Sequence, residues 1–301
     1  MDVAAVRPED YVRDFTPTGE AELLLCIVDE RPRGLRGLRH RLRHGLAQIA
    51  NQRDANDIEA ERAWRFIREQ MGEVSAETIT RYLRQQFSND HLRRFEYPFL
   101  ARCLARQDVP KSVIVDMGGG NSYSTVVPML FRFPGARIQS VDVVNHPDQS
   151  KYGVQYIRGD CIQTNLPAES ADVVSIISTL EHVGLGRWGD PLDVQGDLRA
   201  MREAWRILRP GGHVVLTIPY GYPTVVYNLH RIYDQGRFQR LTEGFEVILE
   251  EYSLLGSPAT REQVEGQRAL TNLPGLSAGV PPQHRRYPNP PGGIMAFMRK
   301  V

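Results

Sequence analysis

From Lys111 onward, short β-branched runs alternate with stretches of helical periodicity, and this alternation constrains the fold more than any other feature of the chain. Ser112–Asp116 (SVIVD) reads as a buried strand, followed by glycines and a helix from about Asn121 to Phe131. Ala136–Val141 and Val154–Ile157 read as the second and third strands, and Ala171–Ile177 as the fourth. A helix from about Asp197 to Leu208 is then broken by Pro210-Gly211-Gly212, and His213–Ile218 is a fifth strand. Near-continuous apolar strands separated by helices imply a parallel sheet covered on both faces. The expected fold class is doubly wound α/β. Phe245–Leu254 and Gly293–Met298 read as two late strands. The Pro- and Gly-rich stretch between them, 256–292, is long enough for a lid or for a helix of its own at Arg261–Leu270.

The first hundred residues are built differently. Arg31, Arg33, Arg36, Arg39, Arg41 and Arg43 interleave with Leu35, Leu38, Leu42 and Leu46 at helical spacing. That pattern suits a helix with one packed stripe and a wet basic face, and a subunit contact or an anionic-partner patch are its alternatives. Asp57–Met71 is a second helix, and Ser75 caps a third running through Tyr82 and Phe87. Tyr97–Arg106 leads into the first strand. The expected organisation is a helical extension or cap over 1–96 and an α/β domain over 97–301, with the Pro- and Gly-rich insertion at 256–292. Lys plus Arg number 37 against 36 for Asp plus Glu, so the whole chain lacks the basic excess of a nucleic-acid binder. Cys26, Cys103 and Cys161 lie far apart, without CxxC, which fits a reducing compartment and offers no zinc spacing. The apolar run Leu23–Val28 is too short for a signal h-region or a membrane span. A soluble cytoplasmic protein without membrane or nucleic-acid partners is expected.

In an open parallel sheet, ligands bind beyond the carboxyl ends of the strands. The first such end is Asp116-Met117-Gly118-Gly119-Gly120, where glycines let a ligand approach the backbone and a helix N-terminus follows. Tyr123 occupies the sixth position of a GxGxxG dinucleotide fingerprint, and no Gly-Lys-Ser/Thr follows, so NAD and P-loop readings are weakened. Asp142 ends the second strand, where an acid can accept both hydroxyl protons of a ribose. Gly159-Asp160-Cys161 lies just beyond the third strand, where a carboxylate and a backbone amide could read an adenine edge. Each acid alone could equally be a cap or turn residue, and their arrival at successive strand ends raises the joint reading.

The series VIVDMGGGNS, SVDVV, GDC, ADVVSIISTLEHV and WRILRPGGHVVLTIP resembles the class I methyltransferases that use S-adenosylmethionine (SAM). The likeness covers about residues 97–301, and Ser122 stands where the usual DxGxGxG run has its third glycine. By that resemblance the sheet is Rossmann-like, with its last strand inserted antiparallel. Asp116, Gly118 and Gly120 would border the methionine portion of SAM, Asp142 would hold the ribose, and Asp160 and Cys161 would flank adenine. STLEHVGLGRWGDPLDVQGDLRAM and YNLHRIYD are similar to a small group of methyltransferase-like proteins associated with sugar and aminoglycoside biosynthesis.

Methyl transfer is an in-line displacement, so the protein must align the acceptor and free its lone pair. A histidine or an orienting carboxylate serves that purpose. The segment after the fourth strand supplies Glu181, His182, Asp190 and Asp193, with Trp188 as a stacking candidate. The segment after the fifth supplies Tyr220, Tyr222, His230 and Asp234. Glu181, His182 and His230 are the catalytic candidates, and Asp190, Asp193, Tyr220, Tyr222 and Asp234 the acceptor-binding ones. For each there is a plainer role: loop capping for Asp190 and Asp193, a satisfied histidine for His230, sheet cover for Tyr220 and Tyr222. The acids, Asp197 included, complement a polycationic aminosugar, which favours N-methylation over O-methylation of a neutral sugar. No three-carboxylate metal set is visible, so metal-free transfer is expected. A catalytically silent methyltransferase-like subunit is the main competing class, and the arginine-rich segment is a candidate homodimer contact.

Overall fold

The computed structural model describes residues 6–16, 21–25, 75–88, 90–119, 131, 133, 135–143, 153–186, 190–227, 229–270 and 290–301. In chain order these form α1 (Pro8–Phe15), β1 (Glu22–Leu25), α2 (Ala76–Gln86), α3 (Arg93–Leu104), β2 (Val113–Met117), β3 (Arg137–Asp142), β4 (Val154–Arg158) and β5 (Ala171–Ile177). A 3-10 turn at Leu180–His182 precedes α4 (Gly196–Ile207), β6 (Leu208–Tyr220), β7 (Thr224–Tyr227), β8 (His230–Ile232) and α5 (Gln235–Leu241). β9 (Phe245–Leu254), β10 (Ser257–Ala259), α6 (Arg261–Val264) and β11 (Gly292–Lys300) complete the described elements.

The main sheet runs β10-β9-β11-β6-β5-β2-β3-β4. β2 to β6 are mutually parallel. β11 lies antiparallel between β6 and β9. The fold is thus a mostly parallel, Rossmann-like α/β sheet whose last strand is inserted antiparallel, as the motif series implies.

Side-chain alternation along the strands feeds two cores. In β2, Val113, Val115 and Met117 enter one core and Ile114 the other. In β5, Ala171, Val174 and Ile176 face the first while Val173 and Ile177 face the second. α4 covers the first face with Leu198, Met201, Ala204 and Ile207. α2 and α3 cover the second with Ile79, Leu83, Phe99 and Leu100. Ser75 caps α2 through its hydroxyl, which accepts from the Thr78 amide at 3.2 Å.

Several boundaries differ from the sequence reading. Pro210-Gly211-Gly212 does not precede the fifth strand; it lies inside β6, where pairing with β5 jumps from Ala171↔Leu208 to Val173↔His213. A bulge absorbs the extra residues while the ladder continues, which a helix-breaking reading of Pro-Gly-Gly misses. α3 starts at Arg93 because the Asp90 carboxylate accepts from the amides of Leu92 and Arg93 at 2.9 and 2.8 Å. The helix foreseen over Arg261–Leu270 is limited to Arg261–Val264. The extension before residue 97 is not purely helical: β1 pairs parallel with β7, which pairs with β8 in a second, three-stranded sheet. The arginine cluster at 31–43, the helices foreseen over 57–71 and 121–131, Gly120, Trp188 and most of 256–292 lie outside the described residues.

α1 is fastened from far along the chain. Tyr11 and Phe15 enter the first core, and the Tyr11 hydroxyl donates to Gly184 O at 2.6 Å. Arg237 on α5 is fully buried and pairs with Asp197 at 2.6 Å and with Asp14 at 2.9 Å.

Candidate functional site

Because β2 to β5 are parallel, their carboxyl ends lie along one edge. That edge carries Asp116 and Gly118 from β2, Asp142 from β3, Gly159-Asp160-Cys161 from β4, and Thr179 to His182 from β5. Asp116 is fully buried, and Oδ1 accepts from the Ser175 hydroxyl at 2.7 Å across the strand pair. The Gly118 amide donates to Val141 O at 2.7 Å, which ties the glycine turn to β3. Gly118 has φ +81, and a Cβ there would meet Thr179 Cγ2 at 2.2 Å. This glycine is required by both its conformation and its neighbour.

Gly118→Ala is therefore expected to destabilise the fold by about 2–4 kcal/mol, from left-handed strain plus overpacking. Gly135→Ala is the control. It shares the strain at φ +72 but has nothing within 4 Å of the new methyl, so about 1–2 kcal/mol is expected. Equal losses in thermal or urea unfolding would mean that Thr179 yields freely.

Asp142 is buried at the end of β3, where its carbonyl accepts from the Gly159 amide at 3.0 Å and the Tyr156 hydroxyl at 2.9 Å. Asp160 Oδ1 accepts from the Ile162 amide at 3.0 Å. Burial raises the Asp160 pKa above the usual carboxylate value; the Ile162 bond opposes this, and Asp190 and Asp193 reinforce it. The Cys161 thiol is pushed well above its ordinary value, by burial first and then by Asp142, Asp160, Asp116 and Asp190. The three strand ends and the loop after β5 thus bring their acids to one place, and the field there is negative.

Beside it, His182 Nδ1 lies 2.5 Å from Leu229 O. A carbonyl can only accept, so Nδ1 is the donor in this contact and the ring is oriented by it. Nε2 is 3.7 Å from Oε1 of the buried Glu181. The ring of the buried His230 lies 6.4 Å from that of His182, centroid to centroid, and the two are tilted by 71°. The structure thus brings the three catalytic candidates together. Among the described residues, no group of three or more His, Cys, Asp or Glu could hold a metal ion.

The acceptor-binding candidates fare differently. One oxygen of Asp190 accepts from the amides of Gly184 at 2.8 Å and Gly186 at 3.2 Å. Asp193 accepts from the Gln195 amide at 3.0 Å and pairs with Arg199 at 2.8 Å. Asp234 caps α5, accepting from the Arg237 amide at 2.8 Å. Asp197 is taken by Arg237. Each of these carboxylates closes a loop or helix of the chain itself. Tyr220 is fully buried, with its hydroxyl on Gln235 at 3.2 Å and its ring on Tyr252, which gives it a packing role rather than a place in an acceptor wall. Tyr222 lies under the Arg268 guanidinium, 4.1 Å from its ring centroid.

Glu96, Tyr11 and Arg237 carry no sequence signal for their roles, because their partners lie far along the chain. Arg231 is fully buried and donates to Val183 O at 2.7 Å, bracing the Glu181–His182 turn from β8. The HRIYD spelling carries no signal for that role.

Residues 162–268 match a family model described as a Caenorhabditis protein of unknown function, DUF268. A comparison with curated proteins found no match. Among solved structures, the chain is similar to a protein from Galdieria sulphuraria provisionally named a sarcosine dimethylglycine methyltransferase. The identity is 16%, the TM-score 0.47, and the match covers 68% of this chain and 85% of that one. A SAM-dependent methyltransferase from Methanosarcina mazei matches at 14% identity and TM-score 0.41, over 64% of this chain and 93% of that one. Another from Thermotoga maritima matches at 19% identity and TM-score 0.39, over 75% of this chain and 98% of that one.

Proposed function

We propose that this chain is a SAM-dependent methyltransferase acting on a small sugar-containing acceptor, with an aminosugar amine as its preferred nucleophile. The observation that carries the reading is the convergence, on one sheet edge, of a glycine turn, three strand-end acids and a histidine whose ring a backbone carbonyl orients. When bound, SAM supplies a methyl group made electrophilic by its sulfonium sulfur. The residues present fit such a group. The strand-end carboxylates of Asp116, Asp142 and Asp160 suit a cation that carries ribose hydroxyls, and Gly118 lets the turn close against Thr179. In this reading Asp116, Gly118 and Gly120 border the methionine portion, Asp142 accepts from the ribose hydroxyls, and Asp160 and Cys161 flank adenine.

An ammonium acceptor must lose a proton before its lone pair can attack. His182 takes that proton on Nε2, and the Glu181 carboxylate 3.7 Å away stabilises the imidazolium that forms. The strand-end acids and Glu181 together supply negative charge that an ammonium complements, which favours an aminosugar over a neutral sugar. His230 packs beside the pair as its second histidine. Residues 1–96 act as a cap in this reading, since α1 reaches the loop that carries the pair through the Tyr11–Gly184 bond.

Calorimetric titration tests the proposal. SAM should bind the wild type, and Asp142→Ala should weaken that binding about 10–100-fold, the value of a hydrogen-bonded charge, without loss of fold. Aminosugars should then give a heat signal in the presence of S-adenosylhomocysteine. A signal from neutral sugars alone would move the reading to O-methylation, and well-folded protein that binds no SAM would sink it.

A further inference from the structure

The first turn of α3 brings a buried carboxylate to the same edge, and nothing in the proposed reaction uses it. Glu96 Oε1 accepts from the Ser178 hydroxyl at 2.5 Å and from the Thr217 hydroxyl at 3.0 Å. Its Oε2 accepts from the Arg93 guanidinium at 2.8 Å. Three donors from α3, the end of β5 and β6 thus meet on one side chain that is 3% exposed. Burial works against the charge of Arg93, but Tyr97, Glu96, Asp90 and Glu181 outweigh it, so this guanidinium stands in the field of both buried glutamates.

Ser178 is the residue that this arrangement grips. It has φ +46, a left-handed conformation unfavourable for any residue with a Cβ. Its amide donates to Thr217 O at 3.0 Å and to Thr217 Oγ1 at 3.1 Å. Immediately after it come Thr179, whose methyl would meet any side chain placed at Gly118, and the turn that carries Glu181 and His182. Whatever holds Ser178 in place therefore sets the glycine turn and the proton-accepting pair together.

We propose that Glu96 is a positioning residue: by gripping the Ser178 hydroxyl it holds the end of β5 in its left-handed turn, and so seats Thr179 against Gly118 and directs the Glu181–His182 pair. For its activity readout this rests on the methyltransferase reading, whereas the loop geometry is measurable without it.

Four variants test it: Glu96→Ala, Glu96→Gln, Ser178→Ala, and Glu96→Ala combined with Ser178→Gly. Amide exchange over 178–183 should rise about tenfold in Glu96→Ala, and SAM affinity should fall by about the same factor, the scale of releasing one strained residue. Glu96→Gln keeps an oxygen for Ser178 and Thr217 and should stay within about threefold of wild type in exchange. Adding Ser178→Gly should recover most of the exchange protection and affinity, because glycine takes φ +46 without a Cβ penalty. A merely structural Glu96 would show no such recovery. Ser178→Ala removes the hydroxyl while keeping the carboxylate, and should copy Glu96→Ala even where the latter folds poorly. Wild-type exchange over 178–183 in both alanine variants would overturn the proposal, as would losses that follow the melting temperature and ignore Ser178→Gly. A wild-type chain that binds no SAM would overturn the methyltransferase reading instead, and the exchange measurements would still decide the role of Glu96.

Discussion

His182→Ala should lower kcat by about 10²–10⁴-fold while leaving SAM affinity within about twofold of wild type, since a positioned general base contributes on that scale. The expectation follows from the base role proposed for Nε2, in a ring oriented by the Nδ1–H donated to Leu229 O. Glu181→Gln should cost less, about tenfold in kcat, because it removes charge stabilisation of the imidazolium and leaves the base in place. His230→Ala separates the two histidines. Its ring is buried beside His182, and its loss should act on KM and stability more than on the chemical step. Single-turnover rates at saturating SAM check all three. A His182 variant at full rate would move proton acceptance elsewhere, and equal losses in kcat and SAM affinity would mean that the turn has collapsed.

Arg237→Ala carries the largest expected effect on stability, about 3–5 kcal/mol, because it leaves the Asp197 carboxylate buried without the guanidinium that hydrogen-bonds it. Both side chains of that pair are 0% exposed, so water cannot take over. The same change removes Arg237 from Asp14 and leaves the end of α1 held by Gln195 and Arg240, so protease sensitivity near residue 16 should rise modestly together with the drop in melting temperature. Arg237→Met combined with Asp197→Leu should recover most of the loss, since apolar pairs of similar volume replace buried ion pairs at little cost. Recovery that is absent from the double variant would assign the loss to shape, not charge.

Acid should act in a defined direction on this pair. Burial alone would raise the Asp197 pKa, but Arg231 and Arg237 outweigh it and hold the carboxyl below its ordinary value. A depressed folded pKa contributes stability that is present above the unfolded value, about pH 4, and is lost as pH falls through the folded one. The acid arm of the wild-type stability curve should therefore flatten in the double variant.

Much of this could be read directly from the sequence. The β-branched runs, the glycine turn and the acids at successive strand ends are local patterns, and local patterns survive in one dimension. The antiparallel last strand followed from the motif series, and β9 spans the Phe245–Leu254 stretch read as a strand. The acids of the acceptor loops were legible as acids but not as ligands. Asp190, Asp193 and Asp234 each accept from an amide within six residues, and a carboxylate that caps a loop is spelled the same way as one that binds an amine. β1 was masked by its brevity, since four residues become a strand only when β7 lies beside them.

What the tertiary structure alone decided are the contacts between residues far apart in the chain. Glu96 meets Ser178 across 82 positions, Tyr11 meets Gly184 across 173, and Arg237 meets Asp14 across 223. Each is a polar group that would be unfavourable when buried alone and is stable because folding delivers its partner. Periodicity reports which face of a strand or helix is buried. It does not report which buried charge will find which donor, because that depends on how the elements stack.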